Sequence, residues 1–275
     1  MNQNKIEFRK VRDFGGLLGV TFDYVKQNFK LLFKSNLLLS GPFILLAGIS
    51  MGMYQSAIFS FRTQPQLEQF GIPFLFSMLF TMLSYLVITI VTYSHLLLYK
   101  NSEPGIFNVE EVWSMVKQNF WKLFFTMIGY SIVAAIGFVF LIIPGIYLSI
   151  ALSIIFIVRL EEQIGFIDAV GRCIKIIKDN WWFTFGLIIV IGIIQGFLSF
   201  ILYIPNYIVM FFLAFAGIDA NTGNTGRIMF IISSIISSLG ALFYSLSTIA
   251  VAFQYYNLVE RKEAPGLIEQ IEEIR

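Results

Sequence analysis

Charge is what this sequence has least of. Asp, Glu, Lys and Arg make up only 13% of its 275 residues, against roughly 25% in a soluble domain, while 57% are hydrophobic and the mean hydropathy is +0.77. That composition excludes a single soluble core. Cysteine is nearly missing: Cys173 stands alone, so no internal disulfide can form. His95 is the sole histidine; a metal site needs three or four ligating groups, and no acidic neighbour completes a Ser-His-Asp set around it. A phosphate-cradling glycine loop and an HExxH pair are also missing. No cofactor is therefore expected, and the chain reads as non-enzymatic with no nucleic-acid partner. A cleavable leader is not expected either, because the polar opening Met1 to Asp13 has no short apolar region with a small-residue cleavage site, which leaves targeting to the first span.

Uncharged length is what the sequence has in abundance. A hydrocarbon core about 30 Å thick takes roughly 20 apolar residues in a helix, and helices satisfy their own backbone polar groups where water cannot. Uncharged runs of that length occupy 35–61, 70–99, 123–158, 181–218 and 228–259. The third is too long for one helix and holds Ile143-Pro144-Gly145, where proline removes a donor, so it splits into two spans at an outer turn. Six spans follow, near 37–58, 73–98, 122–142, 145–159, 182–203 and 228–257. The fold class expected is an all-α polytopic membrane bundle forming one domain over 1–275. Residues 206–217, after Ile204-Pro205-Asn206, read as a re-entrant or interfacial segment, because a seventh span would export Arg261 and Lys262. With this topology 17 of the 19 cations lie on one side, leaving only Arg62 and Arg227 on the other. The positive-inside rule then puts both termini in the cytoplasm.

A short phrase recurs along the chain. Val25-Lys26-Gln27-Asn28-Phe29 returns as Val116-Lys117-Gln118-Asn119-Phe120, and degenerately as Ile177-Lys178-Asp179-Asn180-Trp181. Pro144 and Pro205 each stand 24 residues after the aromatic that closes their copy, which aligns the second and third copies without a gap and suggests repeat units near 14–100, 107–160 and 163–258. Each copy ends an amphipathic stretch, read as a cytoplasmic elbow helix lying along the headgroups. In the first, Asp23, Lys26, Gln27, Lys30 and Lys34 form one face and Phe22, Val25, Phe29, Leu32 and Phe33 another. In the third, Asp168, Arg172, Lys175 and Lys178 or Asp179 oppose Ile164, Ile167, Val170, Ile174 and Ile177. Asn108 is placed to cap the second, with Glu111 reaching back as in a capping box.

Candidate contacts to anionic lipid headgroups or a membrane-protein partner are therefore Lys26, Lys30, Lys34, Lys117, Arg172, Lys175 and Lys178, although the elbows need do no more than set the angle of the next span. Inside the spans, Gly48-x-x-x-Gly52 and Gly192-x-x-x-Gly196 allow close helix approach, chiefly for internal packing. Ser233, Ser234, Ser237, Ser238, Ala241 and Ser245 form a small polar stripe on the last span, suited to tight packing or to lining a polar path. Gln195, in the middle of the fifth span, reads as the one large amide deep in the bilayer, in need of a partner, and His95 as a packing or interfacial residue. No Asp, Glu, Lys or Arg falls deep in a span, where ion-coupled transporters place them.

The stretch Leu141-Ile142-Ile143-Pro144-Gly145-Ile146-Tyr147-Leu148, followed by Phe166-Ile167-Asp168-Ala169-Val170-Gly171-Arg172, Asn180-Trp181-Trp182 and the closing Tyr255-Tyr256-Asn257-Leu258-Val259-Glu260-Arg261-Lys262-Glu263, resembles the bacterial membrane-domain family named after glycerophosphoryl diester phosphodiesterases, and related uncharacterised six-span proteins. The resemblance covers roughly 110–265. It implies a bacterial inner-membrane protein, without the soluble phosphodiesterase domain that gives the family its name and with no catalytic residue to carry over. Two functions are expected: a scaffold or accessory subunit of a membrane complex or lipid-homeostasis system, or alternatively a transporter or permease component for a lipid or small amphipathic solute. An intramembrane lipid enzyme would need a polar cluster that the sequence does not display.

Overall fold

The computed structural model describes residues 5–61, 67–102, 107–140, 142–215 and 224–265. Arg62, Leu141, the stretch 216–223 and Arg275 lie outside the described residues. The protein is all-α, 91% helical, with no strand among the described residues. In chain order come α1 (Phe14–Phe61), α2 (Leu67–Asn101), α3 (Val109–Phe140), α4 (Ile142–Ala151), α5 (Ile155–Glu161), α6 (Phe166–Ile177), a 3-10 turn (Lys178–Asn180), α7 (Trp181–Phe215), α8 (Asn224–Ser238), a second 3-10 turn (Leu239–Phe243) and α9 (Tyr244–Glu263). Six stretches are long and apolar enough to cross a membrane: Phe14–Ile58, Gly71–Asn101, Val109–Val139, Ile142–Glu161, Phe166–Phe212 and Thr225–Glu263. A multi-pass membrane protein accounts for them, since the most apolar window of the fifth is only 11% buried and needs a non-aqueous neighbour.

Helix starts follow local chemistry. The Asp13 carboxylate accepts from Gly16 N at 2.8 Å and starts α1, and Asn108 Oδ1 accepts from Glu110 N at 2.9 Å and Glu111 N at 3.1 Å to start α3. The expected elbows are another matter. α1 runs unbroken for 48 residues, about 72 Å at 1.5 Å per residue, so its amphipathic first half is the same helix as the span. The same holds for α3, and only α6 is a separate helix before its span. Asn28 Nδ2 bonds Tyr24 O and Asn119 Nδ2 bonds Met115 O, both at 3.0 Å. In the first two copies the recurring asparagine thus turns back on its own helix and offers nothing that would break it.

The two proline segments that align in sequence take different courses. α3 and α4 fold against each other so closely that a Cβ on Gly137 would stand 3.0 Å from Gly145 Cα, and one on Gly145 would stand 2.6 Å from the Phe138 ring. Further down, Arg159 Nη1 donates to Thr126 Oγ1 at 2.6 Å and Tyr130 meets Phe156, an antiparallel register that carries α5 back along α3. At the aligned places in α7 stand Leu198 and Asn206 instead of those glycines. No such hairpin forms, and α7 continues through Pro205 to Phe215. The re-entrant segment expected over 206–217 is therefore helix as far as residue 215, with the rest outside the described residues.

The chain divides into two compact units: unit 1 is Met1–Ser35, Thr89–Ile193 and Ser245–Arg275, and unit 2 is Asn36–Ile88 and Ile194–Tyr244. Among the described residues, sixteen cations belong to unit 1 and Arg227 alone to unit 2.

Candidate binding cavity and the buried polar network

In unit 2, α1 and α8 touch through glycine. A Cβ on Gly48 would lie 2.7 Å from Ile235 Cα, and one on Gly52 would lie 2.4 Å from Ile231 Cα; real side chains cannot sit there, so the two backbones are in direct contact. Gly192 and Gly196 meet nothing within 4 Å, so of the two glycine pairs only the first packs helices. Ser238 Oγ uses the close approach to donate to Ile44 O at 3.1 Å. Ser237 Oγ lies 2.9 Å from Ser233 O of its own helix and 3.2 Å from Leu202 O of α7, to either of which it donates. Ser199 Oγ reaches Gly240 O at 3.2 Å.

These contacts enclose a cavity of about 220 Å³ lined from four segments: Ile44, Ala47, Met51 and Gln55 of α1, Thr81, Ser84 and Tyr85 of α2, Tyr203 and Asn206 of α7, and Ser234, Ser237, Ser238 and Ala241 of α8 and the turn after it. Its polar heart is a ring of three side chains. Asn206 Nδ2 donates to Gln55 Oε1 at 3.0 Å and to Ser234 Oγ at 3.2 Å, while Ser234 Oγ donates to Gln55 Oε1 at 3.2 Å. Asn206 is 5% exposed and Ser234 2%, so this ring is held away from bulk surroundings where neutral hydrogen bonds count for most. Met51, Tyr85 and Tyr203 remain 39%, 38% and 43% exposed, and they mark where the cavity reaches the surface of the unit.

Unit 1 is organised by two adjacent carboxylates at the end of α5. Glu161 pairs with Lys100 of α2 and accepts from the Tyr256 hydroxyl of α9 at 3.0 Å. Glu162 accepts from Arg172 Nε of α6 and from the Tyr255 hydroxyl, both at 2.9 Å. The other edge of the Arg172 guanidinium forks onto Glu263, with Nη2 to Oε2 at 2.9 Å. Lys262 Nζ bonds Lys175 O and Asp179 Oδ2, each at 2.8 Å. One cation and one tyrosine therefore meet each carboxylate, and α2, α6 and α9 are pinned to one point. Behind this network Tyr24 and His95 Nδ1 share a hydrogen bond of 2.6 Å, with His95 fully buried against Phe107. His95 Nε2 has no partner among the described residues. Gln254 Nε2 bonds Thr184 Oγ1 at 2.8 Å, and Asn257 Nδ2 bonds Gln254 Oε1 at 3.2 Å.

The polar opening of the chain is part of unit 1. Phe8, 5% exposed, lies among Tyr99, Phe253 and Tyr256. Lys5 Nζ caps the end of α2 through Lys100 O and Ser102 O, and Arg12 N donates to Asn257 Oδ1 at 2.8 Å. Half-burial lowers the Arg12 pKa from its ordinary value while Glu7 opposes the change.

The expected contact residues separate into two kinds. Lys26, Lys30, Lys34, Lys117, Lys175 and Lys178 are exposed, and Lys117 lies over the Trp113 ring at 5.6 Å. Phe22, Phe29 and Phe33 are exposed beside the α1 lysines. The three phenylalanines of the expected apolar face thus point outward with the lysines, while Leu32 of that face is buried and the buried side runs through Leu17, Thr21 and Tyr24. Arg172 differs, since its guanidinium is committed inside the protein. α6 also turns otherwise than its pattern suggested: Ala169, Cys173, Ile176 and Ile177 are buried and Ile167 is 83% exposed, the small Ala169 and Cys173 letting the helix sit close on that side.

Of the intramembrane candidates, Ser234, Ser237 and Ser238 line the cavity, whereas Gln195 does not. His95 belongs to unit 1. Gln55 and Gln254 are further large amides within the spans, so Gln195 is not the singular one. Gln55 and Asn206 stand in the sequence as carboxamides inside uncharged runs, but each shares its run with another, Asn36 or Gln195, and nothing local says that residues 151 apart share a bond. Among the described residues, no three His, Cys, Asp or Glu side chains group to hold a metal. No family model, curated protein or solved structure matches this chain.

Proposed function

We propose that this protein is a permease component or carrier for a lipid or small amphipathic solute, acting without covalent chemistry in a bacterial cytoplasmic membrane with both termini in the cytoplasm. The observation that carries the reading is the cavity of unit 2: a space of about 220 Å³ with nine polar side chains in a part of the protein that holds almost no charge. Pockets with a few placed polar groups on apolar walls are where small molecules bind. The gathering of sixteen of the seventeen described cations in unit 1 supports the orientation, and the resemblance over 110–265 supports the bacterial setting. A second reading, the scaffold or accessory subunit, draws on the exposed Lys26, Lys30 and Lys34 beside Phe29 and Phe33, a face that fits anionic headgroups with aromatic anchors.

Cysteine accessibility separates the two. Cys173 is buried and gives little background, so a Ser237→Cys variant in intact membranes reports on the cavity alone. A carrier is expected to react with a small membrane-permeant maleimide, and saturating monooleoylglycerol is expected to slow that reaction severalfold. A thiol that reacts no faster than Cys173 would mean a sealed, purely structural space and would leave the scaffold reading in possession.

A further inference from the structure

We infer that the cavity of unit 2 receives the uncharged, oxygen-bearing head of an amphipathic molecule that enters sideways from the lipid, and that Gln55 donates to one of its oxygens. The inference rests on the carrier reading above and specifies its ligand. Every polar group on the wall is neutral: Gln55, Asn206, four serines, Thr81 and two tyrosines. A charged head entering such a space would lose its hydration and find no counter-charge, which costs several kcal/mol. Phosphate, sulfate, carboxylate and ammonium heads are thereby disfavoured.

The hydrogen-bond accounting points to what remains. Ser84, Ser237 and Ser238 give their protons to the backbone carbonyls of Phe80, Ser233 or Leu202, and Ile235 or Ile44. Both protons of Asn206 Nδ2 go to Gln55 and Ser234, and Ser234 returns its own to Gln55 Oε1. Unspent among the described residues, besides the hydroxyls of the exposed Thr81 and Tyr203, are the donor Gln55 Nε2 and the acceptor Asn206 Oδ1. A hydroxyl can satisfy both at once, by accepting from the first and donating to the second.

Size and position supply the sideways entry. At about 30 Å³ each, some seven waters would fill 220 Å³, which is room for a polyol or ester head and too little for a whole lipid. A tail must stay outside, and the exposed Met51, Tyr85 and Tyr203 give it an apolar exit bordered by two hydroxyls.

The test uses the full chain in lipid nanodiscs and a diazirine-bearing monoacylglycerol. Crosslinks are expected on peptides of α1, α7 and α8, competed by unlabelled monooleoylglycerol and at least tenfold less well by oleyl sulfate or oleyltrimethylammonium, whose charges are permanent. Gln55→Leu is expected to reduce crosslinking about tenfold, the worth of one hydrogen bond with its partner left unmet. Ser234→Ala, a smaller change, is expected to reduce it severalfold with thermal stability retained. Equal competition by the charged amphiphiles, or wild-type crosslinking in a folded Gln55→Leu protein, would overturn the head-group inference and leave the carrier reading standing. Absence of cavity crosslinks with any of the three head groups made photoreactive, in a protein of wild-type stability, would overturn the carrier reading itself.

Discussion

Gly52→Leu is expected to destabilise the protein by about 3 kcal/mol or more, seen as a large fall in the thermal midpoint in detergent and as loss of the monodisperse species on size exclusion. The cause is the contact it would break. A Cβ at this position lies 2.4 Å from Ile231 Cα and 2.7 Å from both Ile231 N and Phe230 O. None of these atoms is the end of a flexible side chain, so α1 and α8 can accommodate leucine only by moving apart. That movement would also stretch the bonds from Ser238 to Ile44 O and from Ser234 to Gln55. Gly192→Leu is the matched control. It has the same chemistry in another apolar span and meets nothing within 4 Å, so its effect is expected to stay within about 0.5 kcal/mol. Equal effects of the two substitutions would show that glycine serves here through helix flexibility rather than close packing.

Arg172→Leu is the second large effect, expected to cost about 2–3 kcal/mol and to free α6 for proteolysis in the native state. Arg172 and Glu162 are only 20% and 22% exposed at their side chains, and the guanidinium serves Glu162 along one edge and Glu263 along the other. Removing it leaves Glu162 with the Tyr255 hydroxyl as its remaining partner, a half-buried carboxylate without a counter-charge. Arg172→Lys is expected to recover less than half of the loss, because an ammonium cannot reproduce the planar fork. Lys30→Leu, on the exposed face of α1, should leave stability within about 0.5 kcal/mol. Protection of α6 unchanged in Arg172→Leu would show that apolar burial of Ala169, Cys173, Ile176 and Ile177 alone holds that helix.

What could be read in the sequence, and what could not, follows the range of the interactions. Local signals were sound where one turn of helix decides the matter, as where Asn108 caps α3; of the two glycine pairs, which need a partner helix, only Gly48 and Gly52 mark a close contact. Uncharged run length sufficed for six spans because the bilayer fixes it. The same local signals misled where a distant partner decides. Pro144 and Pro205 are equivalent in sequence, yet the course of the chain depends on whether Gly137 and Gly145, or Leu198 and Asn206, stand at the contact. The amphipathic pattern of α6 missed its buried stripe, since Ala169, Cys173 and Ile176 stand in neither expected face and Ile167, expected on the apolar one, is exposed. Phe8 offered little warning that the polar opening is a packed segment of unit 1. The candidate site was half visible. Ser234, Ser237 and Ser238 are spaced along one helix, but the ring that Ser234 joins needs Gln55 and Asn206, brought from two other helices by the fold.

The most direct measurement of the central claim is a comparison of the molecules that stay bound to wild-type and Gln55→Leu protein extracted in native nanodiscs, identified by mass spectrometry against the bulk membrane extract. The expected result is enrichment of an uncharged amphipath with free hydroxyl or ester oxygens in the wild type, reduced about tenfold in the variant, while anionic lipids held at the lysine faces are unchanged. Identical profiles for the two proteins, with no neutral molecule enriched in either, would contradict it.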